Sequence, residues 1–217
     1  MSTDVSQEES AQNSFFKGPS PKLSPVPTDV HGLIAARWSP RSFSDRNVSD
    51  SDLKLVFDAA RWAASSYNEQ PWRFLVARKS DHDSYQKLLG ILVDFNQGWA
   101  KSAPVLFLMA AKTTFTEKGT PNRFALHDAG QALATLMLQA TALGLHAHAM
   151  AGFDEGKARR ELHIPADYEL GAAVALGYLS KPEDLPPQYR GGEIAERQRK
   201  PMSEVVFGAD WNSSPGF

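Results

Sequence analysis

The sequence predicts a single domain in which helices cover strands on both faces, and three observations lead there. Apolar residues recur at helical spacing, with Leu53, Val56, Phe57, Ala60 and Ala63 sharing one face. Elsewhere they run without alternation. Val105-Leu106-Phe107-Leu108-Met109-Ala110-Ala111 is the pattern of a strand covered on both sides. Finally, 217 residues with 42% hydrophobic and 22% charged side chains fit one domain with a sizeable core.

In chain order, residues 1–27 are rich in Ser, Pro and Gln and read as a disordered or extended arm, with Phe15 and Phe16 its strong hydrophobic pair. The domain proper is expected over residues 28–217. Thr28 can cap a short helix whose apolar face is Val30, Leu33, Ile34 and Trp38. Arg37 to Phe43 then reads R-W-S-P-R-S-F, two arginines flanking Ser39 at a proline-bearing turn. Guanidinium forks and a hydroxyl converging there can hold a phosphate or another oxyanion. The alternative is a solvated helix end whose arginines offset the dipole.

Ser49 is placed to cap the next helix, which carries Asp50 and Asp52 in its first turn and runs to about Ala64. Ser65 to Gln70 is a polar loop closed by Pro71, and this proline pushes Gln70 toward an extended conformation. Asn68 and Gln70 each carry a two-donor, two-acceptor amide, the kind of group that reads the edge of a heterocycle. Satisfying the loop's own backbone is their other possible task. A strand follows at Phe74 to Ala77.

Asp81 to Leu92 reads as a helix, and Trp99 and the Ala103-Pro104 turn lead into the apolar strand. Lys112 to Pro121 is a polar connection. Asn122 to Leu143 is the longest helix and is apolar nearly all round, which suits a domain centre or a subunit interface. Gly144 ends it in a left-handed conformation, and His127 and Asp128 near its start read as packed, hydrogen-bonded residues. Leu145 to Phe153 is a strand and turn with His146 and His148 on one face. No third histidine or carboxylate stands at ligand spacing, so no metal site is expected. Asp154 caps a helix from Glu155 to Leu162, and Glu169 to Leu179 is the last core strand. The tail from Lys181 is polar, yet Val205, Val206, Phe207 and Trp211 are too apolar to stay free. They are expected to pack on the body or cross to a partner subunit.

The balance of 23 basic against 25 acidic residues, a formal charge of −2, argues against a nucleic-acid or membrane-surface partner. The absence of cysteine excludes disulfides, iron–sulfur clusters and thiolate zinc. No apolar run approaches membrane-spanning length, and the polar N-terminus lacks an export pattern, so a cytoplasmic location is expected.

The ordered combination of R-W-S-P-R-S-F, A-A-S-S-Y-N-E-Q-P-W-R-F, G-L-H-A-H-A-M-A-G-F-D and R-Q-R-K-P-M resembles the nitroreductase family, from Thr28 to about Trp211. The resemblance implies an α+β fold, a mostly antiparallel central sheet wrapped by helices. It further implies an intertwined homodimer with an FMN at each of two interface sites. It implies an oxidoreductase that takes hydride from NAD(P)H and reduces nitroaromatics, quinones or similar small acceptors by a ping-pong cycle.

Residue by residue, Arg37 and Ser39 match the family's hold on the flavin phosphate and ribityl chain, with Trp38 between them in the same cofactor-binding segment. Arg41 matches the cation near N1 and O2 of the ring, and carries the catalytic assignment. Asn68 matches the amide on the pyrimidine edge, with Gln70 beside it. Gly152, preceded by Ala151, matches the backbone donor near O4 and N5. Arg197 and Arg199 match the basic pair that returns to the phosphate. Two positions depart from the pattern. Ala64 stands where proline is common, and Ala151 stands where some members carry glutamate, which removes a charge near the reactive ring edge. A dehalogenase-type relative and a flavin-binding or stress protein with little turnover are the rival implications. Part of the acceptor pocket is expected between Asp94 and Lys118.

Overall fold

The computed structural model describes Lys22, Pro25 and residues 29–217. The arm expected over residues 1–27, with its Phe15–Phe16 pair, and the cap expected at Thr28 lie outside the described residues, Lys22 and Pro25 apart. Helix α1, Gly32–Ala36, is capped by His31, whose ring accepts the Leu33 N–H. It is shorter than expected. Arg37 already has extended backbone, and Pro40 biases Ser39 away from helix. Trp38 is therefore buried beyond the helix rather than on its face.

Helix α2 spans Asp50–Arg61, with the Ser49 hydroxyl accepting the Asp52 N–H at 3.0 Å. Strand β1, Trp72–Arg78, is followed by α3, His82–Gly90, capped by Asp81. Helix α4, Asp94–Ala100, was not anticipated: D-F-N-Q-G-W-A has a mid-helix glycine and too short a run to show periodicity. Strand β2 is Val105–Lys112, α5 is Ala125–Ala142, β3 is His146–Met150, α6 is Glu155–Glu161 and β4 is Tyr168–Gly177. Gly144 does end α5 at φ +76°. A further helix, α7, Pro187–Ile194, lies in the polar part of the tail, where no helix is expected from the sequence.

The four strands form one sheet in the order β1-β2-β4-β3, with every pair antiparallel. Trp72 lies opposite Ala111, Val105 opposite Leu176, and His146 opposite Gly177. With the surrounding helices this is the expected α+β architecture. Strand β2 is central, and its side chains feed two cores. Leu106, Leu108 and Ala110 pack with Tyr85, Trp99 and Tyr189, while Val105, Phe107 and Met109 pack with Val56 and Leu136. Each fully buried Leu or Phe of this kind contributes about 1.5–3 kcal/mol. Strand β3 forms one edge, and the turn after α1 and helix α7 gather beside it.

Candidate functional site

Two groups of sequence-predicted residues are built in different ways. The first centres on the turn Arg37–Phe43. Arg197 donates to the carbonyls of Ala35 at 2.5 Å and Arg37 at 2.7 Å, which returns the tail to the end of α1. Burial, and then the nearby Arg199, hold the Arg37 guanidinium below the usual arginine range. Burial, then Arg37 and Arg199, do the same to Arg197. Among the described residues no carboxylate pairs with any of the three. Half-buried Arg37 and Arg197 and exposed Arg199 thus stand together without a counterion, an arrangement suited to an anion. Ser39 is exposed beside them.

Arg41 occupies the far end of the turn. Its backbone N–H donates to Glu193 Oε2 at 2.8 Å, and the Ser42 N–H donates to Oε1 of the same carboxylate at 3.1 Å. Its guanidinium lies against α7, where a Cβ on Gly192 would stand 2.7 Å from Nη1. The buried Nε has no hydrogen-bond partner. Among the described residues no ion pair joins the Arg41 side chain to Asp45 or to another carboxylate.

Strand β3 underlies this turn. His148 Nδ1 lies 2.8 Å from the Pro40 carbonyl. A carbonyl only accepts, so this nitrogen carries the proton and donates. His146, 3% exposed, packs edge-on to Trp38 at 6.3 Å between ring centroids, and both its nitrogens and the Trp38 Nε1 lack partners. Burial, assisted by Arg37, pushes His146 down to about 4. Burial pushes His148 down to about 4, with Arg41 adding to the effect and the Pro40 bond opposing it. Both imidazoles are thus neutral at pH 7.

Just past β3, Gly152 accepts the Val93 N–H at 3.1 Å and the Asn96 side chain at 3.0 Å through its carbonyl. A Cβ there would stand 2.7 Å from Asn96 Nδ2. Among the described residues its own N–H has no acceptor. Ala151 beside it is exposed. Arg37 and Trp38 beside His146, Pro40 and Arg41 beside His148, and then Gly152 mark successive stations along the sheet edge. From His146 to Gly152 an extended chain covers about 20 Å.

The second group is the loop Ser65–Gln70. It contains a 3₁₀ turn, Ser66–Asn68, and left-handed backbone at Tyr67 (φ 52°), Asn68 (φ 55°) and Gln70 (φ 50°). The extended conformation expected at Gln70 is therefore wrong. The Gln70 N–H turns back to the Ser65 hydroxyl at 3.0 Å, and this bond overrides the bias imposed by Pro71. The Ser66 N–H donates to Asp128 Oδ2 at 2.9 Å, and that carboxylate is 2% exposed at the start of α5. Glu69 accepts the Thr116 N–H at 2.9 Å. Tyr67, 88% exposed, meets Phe115 edge-on at 5.7 Å. Together with Asn68, Lys118 and Thr120 they line a cavity of about 570 Å³.

No hydrogen bond, ion pair or ring contact of the described residues joins Asn68 or Gln70 to the arginine turn. Of the stretch Asp94–Lys118, only Phe115 to Lys118 reach this cavity, because α4 and β2 are committed to the fold. Two residues that matter to the site had not been singled out. These are Glu193 and Gly192, whose only signal was a Gly-Gly-Glu run within a polar tail.

The profile of the nitroreductase family matches residues 34–178. The chain belongs to the nitroreductase family. A relative from Archaeoglobus fulgidus, provisionally named an NADH dehydrogenase/NAD(P)H nitroreductase, is 30% identical over 157 residues, 70% of this chain and 87% of that protein. The crystal structure of an oxidoreductase containing FMN is similar with a TM-score of 0.82 and 33% identity, covering 92% of this chain and all of that one. A nitroreductase-type structure in complex with FMN from Desulfovibrio desulfuricans gives a TM-score of 0.66 at 26% identity, over 86% of this chain and 99% of that one. For this nitroreductase-family chain, no helix of the described residues is long and apolar enough to cross a membrane.

Proposed function

We propose that this nitroreductase-family protein is an FMN-dependent oxidoreductase. It takes hydride from NAD(P)H and passes it to a nitroaromatic, quinone or similar small acceptor by a ping-pong mechanism. The observation that carries this reading is the track along β3. Unpaired, partly buried arginines stand at one end, an unsatisfied Arg41 Nε lies along it, and a free backbone N–H waits at Gly152. These donors suit a ligand with a phosphate at one end and a flat heterocycle at the other. Arg37, Ser39, Arg197 and Arg199 would hold the phosphate of FMN, with Trp38 in the same binding segment. Arg41 and the Gly152 N–H, beside Ala151, would meet the ring. When bound, FMN supplies both acceptance and donation of hydride, which requires no protein nucleophile.

The chain's residues bind and orient. Arg41 would place a permanent positive charge beside the bound ring, at no cost in reorganisation. His148 holds the Pro40 carbonyl and so fixes the turn that carries Arg41. Asn68 and Gln70 would reach the ring edge from a second copy of the chain. This is supported by their separation from the arginine turn and by the exposure of Trp62, Tyr67, Val205 and Trp211. The cavity between Tyr67 and Phe115 is then proposed for the acceptor.

Purified protein should be yellow and release FMN on denaturation. Its oxidation of NADH or NADPH should depend on a nitroaromatic acceptor, with parallel lines in a double-reciprocal plot. Intersecting lines would remove the ping-pong scheme, and a colourless protein that FMN does not reconstitute would remove the reading itself.

A further inference from the structure

Helix α7 does something that its place in a polar tail does not suggest. It is built of Pro187–Ile194, and two of its consecutive residues engage the same arginine. Gly192 offers bare backbone to the Arg41 guanidinium, since a Cβ would stand 2.7 Å from Nη1. Glu193 turns its carboxylate inward, 4% exposed, and accepts both the Arg41 and Ser42 N–H groups. The Lys22 ammonium donates to the Glu193 backbone carbonyl at 2.6 Å, while both carboxylate oxygens accept from the turn. From the opposite side His148 bonds the Pro40 carbonyl. Ser42 Oγ donates to the Lys181 carbonyl at 2.6 Å. The backbone that launches the Arg41 side chain is thereby fixed on both sides, and the buried Glu193 carboxylate accepts two of these bonds.

We propose that Glu193 is a positioning residue for the hydride-transfer reaction: its carboxylate, with Gly192 as the seat of the guanidinium, fixes where the Arg41 charge stands. The inference rests on the reading that Arg41 faces the ring of a bound FMN. It gives the C-terminal tail a part in tuning the cofactor as well as in binding its phosphate.

The sign of one measurement separates this role from the simplest rival. A carboxylate acting only as a nearby negative charge makes a reduced, more negative cofactor less favourable, so its removal raises the midpoint potential. A carboxylate that positions Arg41 does the reverse, because a displaced cation stabilises the added charge less. The experiment is a potentiometric titration of FMN-loaded wild type, Arg41→Gln, Glu193→Gln, Glu193→Asp and the Arg41→Gln/Glu193→Gln double variant. FMN content and far-ultraviolet circular dichroism establish that each is loaded and folded.

Arg41→Gln should make reduction about tenfold less favourable, which for a two-electron couple is about 30 mV lower. Glu193→Gln should lower the midpoint in the same direction. So should Glu193→Asp, which keeps the charge but retracts it by one methylene, with at least half of the Arg41→Gln shift. In the double variant the Glu193 change should add nothing. A raised or unchanged midpoint in the Glu193 variants, beside a lowered one in Arg41→Gln, overturns the positioning role and leaves the flavin reading standing. An unchanged midpoint in Arg41→Gln overturns both. If the Glu193 variants do not fold, Gly192→Ala decides, since it crowds the guanidinium from the same helix. A lowered midpoint supports the proposal and a wild-type midpoint overturns it.

Discussion

The arginine turn and the amide loop solve the same problem in opposite ways. Each is a short irregular segment, and each is held by one buried carboxylate from a distant helix. Glu193 grips the Arg41 and Ser42 N–H groups, and Asp128 grips the Ser66 N–H. The turn has extended backbone and partly buried cations without counterions. The loop has left-handed backbone at Tyr67, Asn68 and Gln70 and exposes Tyr67 and Asn68. The first is proposed as an anion cradle, whose self-repulsion a bound anion would relieve. The second is a displayed edge, whose backbone strain sets direction. The two constructions fit the proposal of a site shared between two copies of the chain.

The comparison can be broken at either side. The largest effect is expected at Asp128. Asp128→Ala orphans the Ser66 N–H and removes an acidic group from the first turn of α5, costing about 2–4 kcal/mol in urea denaturation. Phosphate recognition should survive in the folded fraction, because Asp128 serves the loop and not the cradle. A variant as stable as wild type would show that the loop holds itself.

Next comes the acid limb of stability beneath the arginine turn. His146 is pushed down to about 4 in the folded chain, against about 6.5 when unfolded. Between these values the unfolded chain binds more protons, so its contribution is complete above about pH 6.5 and is lost as pH falls toward 4. Roughly 3 kcal/mol is at stake, at ~1.4 kcal/mol per pH unit. His146→Phe should lose that much less stability than wild type between pH 7 and pH 4. Equal losses would mean that the histidine is not desolvated.

Arg37→Ala should weaken FMN binding by ~1.5–3 kcal/mol, as loss of a charge-assisted hydrogen bond implies. FMN should then be favoured over riboflavin by less than in wild type. Full discrimination in the variant would place the phosphate elsewhere. The smallest effect belongs to the loop backbone: Gln70→Val puts a β-branched residue at positive φ and should cost about 1–2 kcal/mol. A neutral outcome by thermal denaturation would show that the loop relaxes freely.

Much of this was legible in the residues. Period and length revealed α2, α5 and the central strands, because apolar stripes and runs are long there, and Ser49, Asp81 and Gly144 act where their chemistry points. The arginines carried their own signal through type and spacing. Helices α4 and α7 were hidden because each is short and glycine-bearing, and tertiary contacts rather than periodicity hold them. Gln70 departs from the expected extended backbone for a related reason. The proline rule is local, whereas the Ser65 hydroxyl and Asp128 act across the loop and from another helix. Glu193 was invisible for the same cause, since nothing in the tail's composition shows that one of its carboxylates faces a turn some 150 residues earlier.

Whether the two segments form one site across a dimer is tested most directly by mixing defects. Arg37→Ala and Asn68→Leu chains, carrying different affinity tags, can be co-expressed and the mixed dimer isolated and titrated with FMN. A shared site leaves one pairing fully intact, so the mixed dimer should bind one FMN per dimer with wild-type affinity, while each pure variant binds only weakly. If Arg37 and Asn68 act within the same chain, every site in the mixed dimer carries one defect. The absence of any wild-type-affinity site would then contradict a flavin site built from two copies.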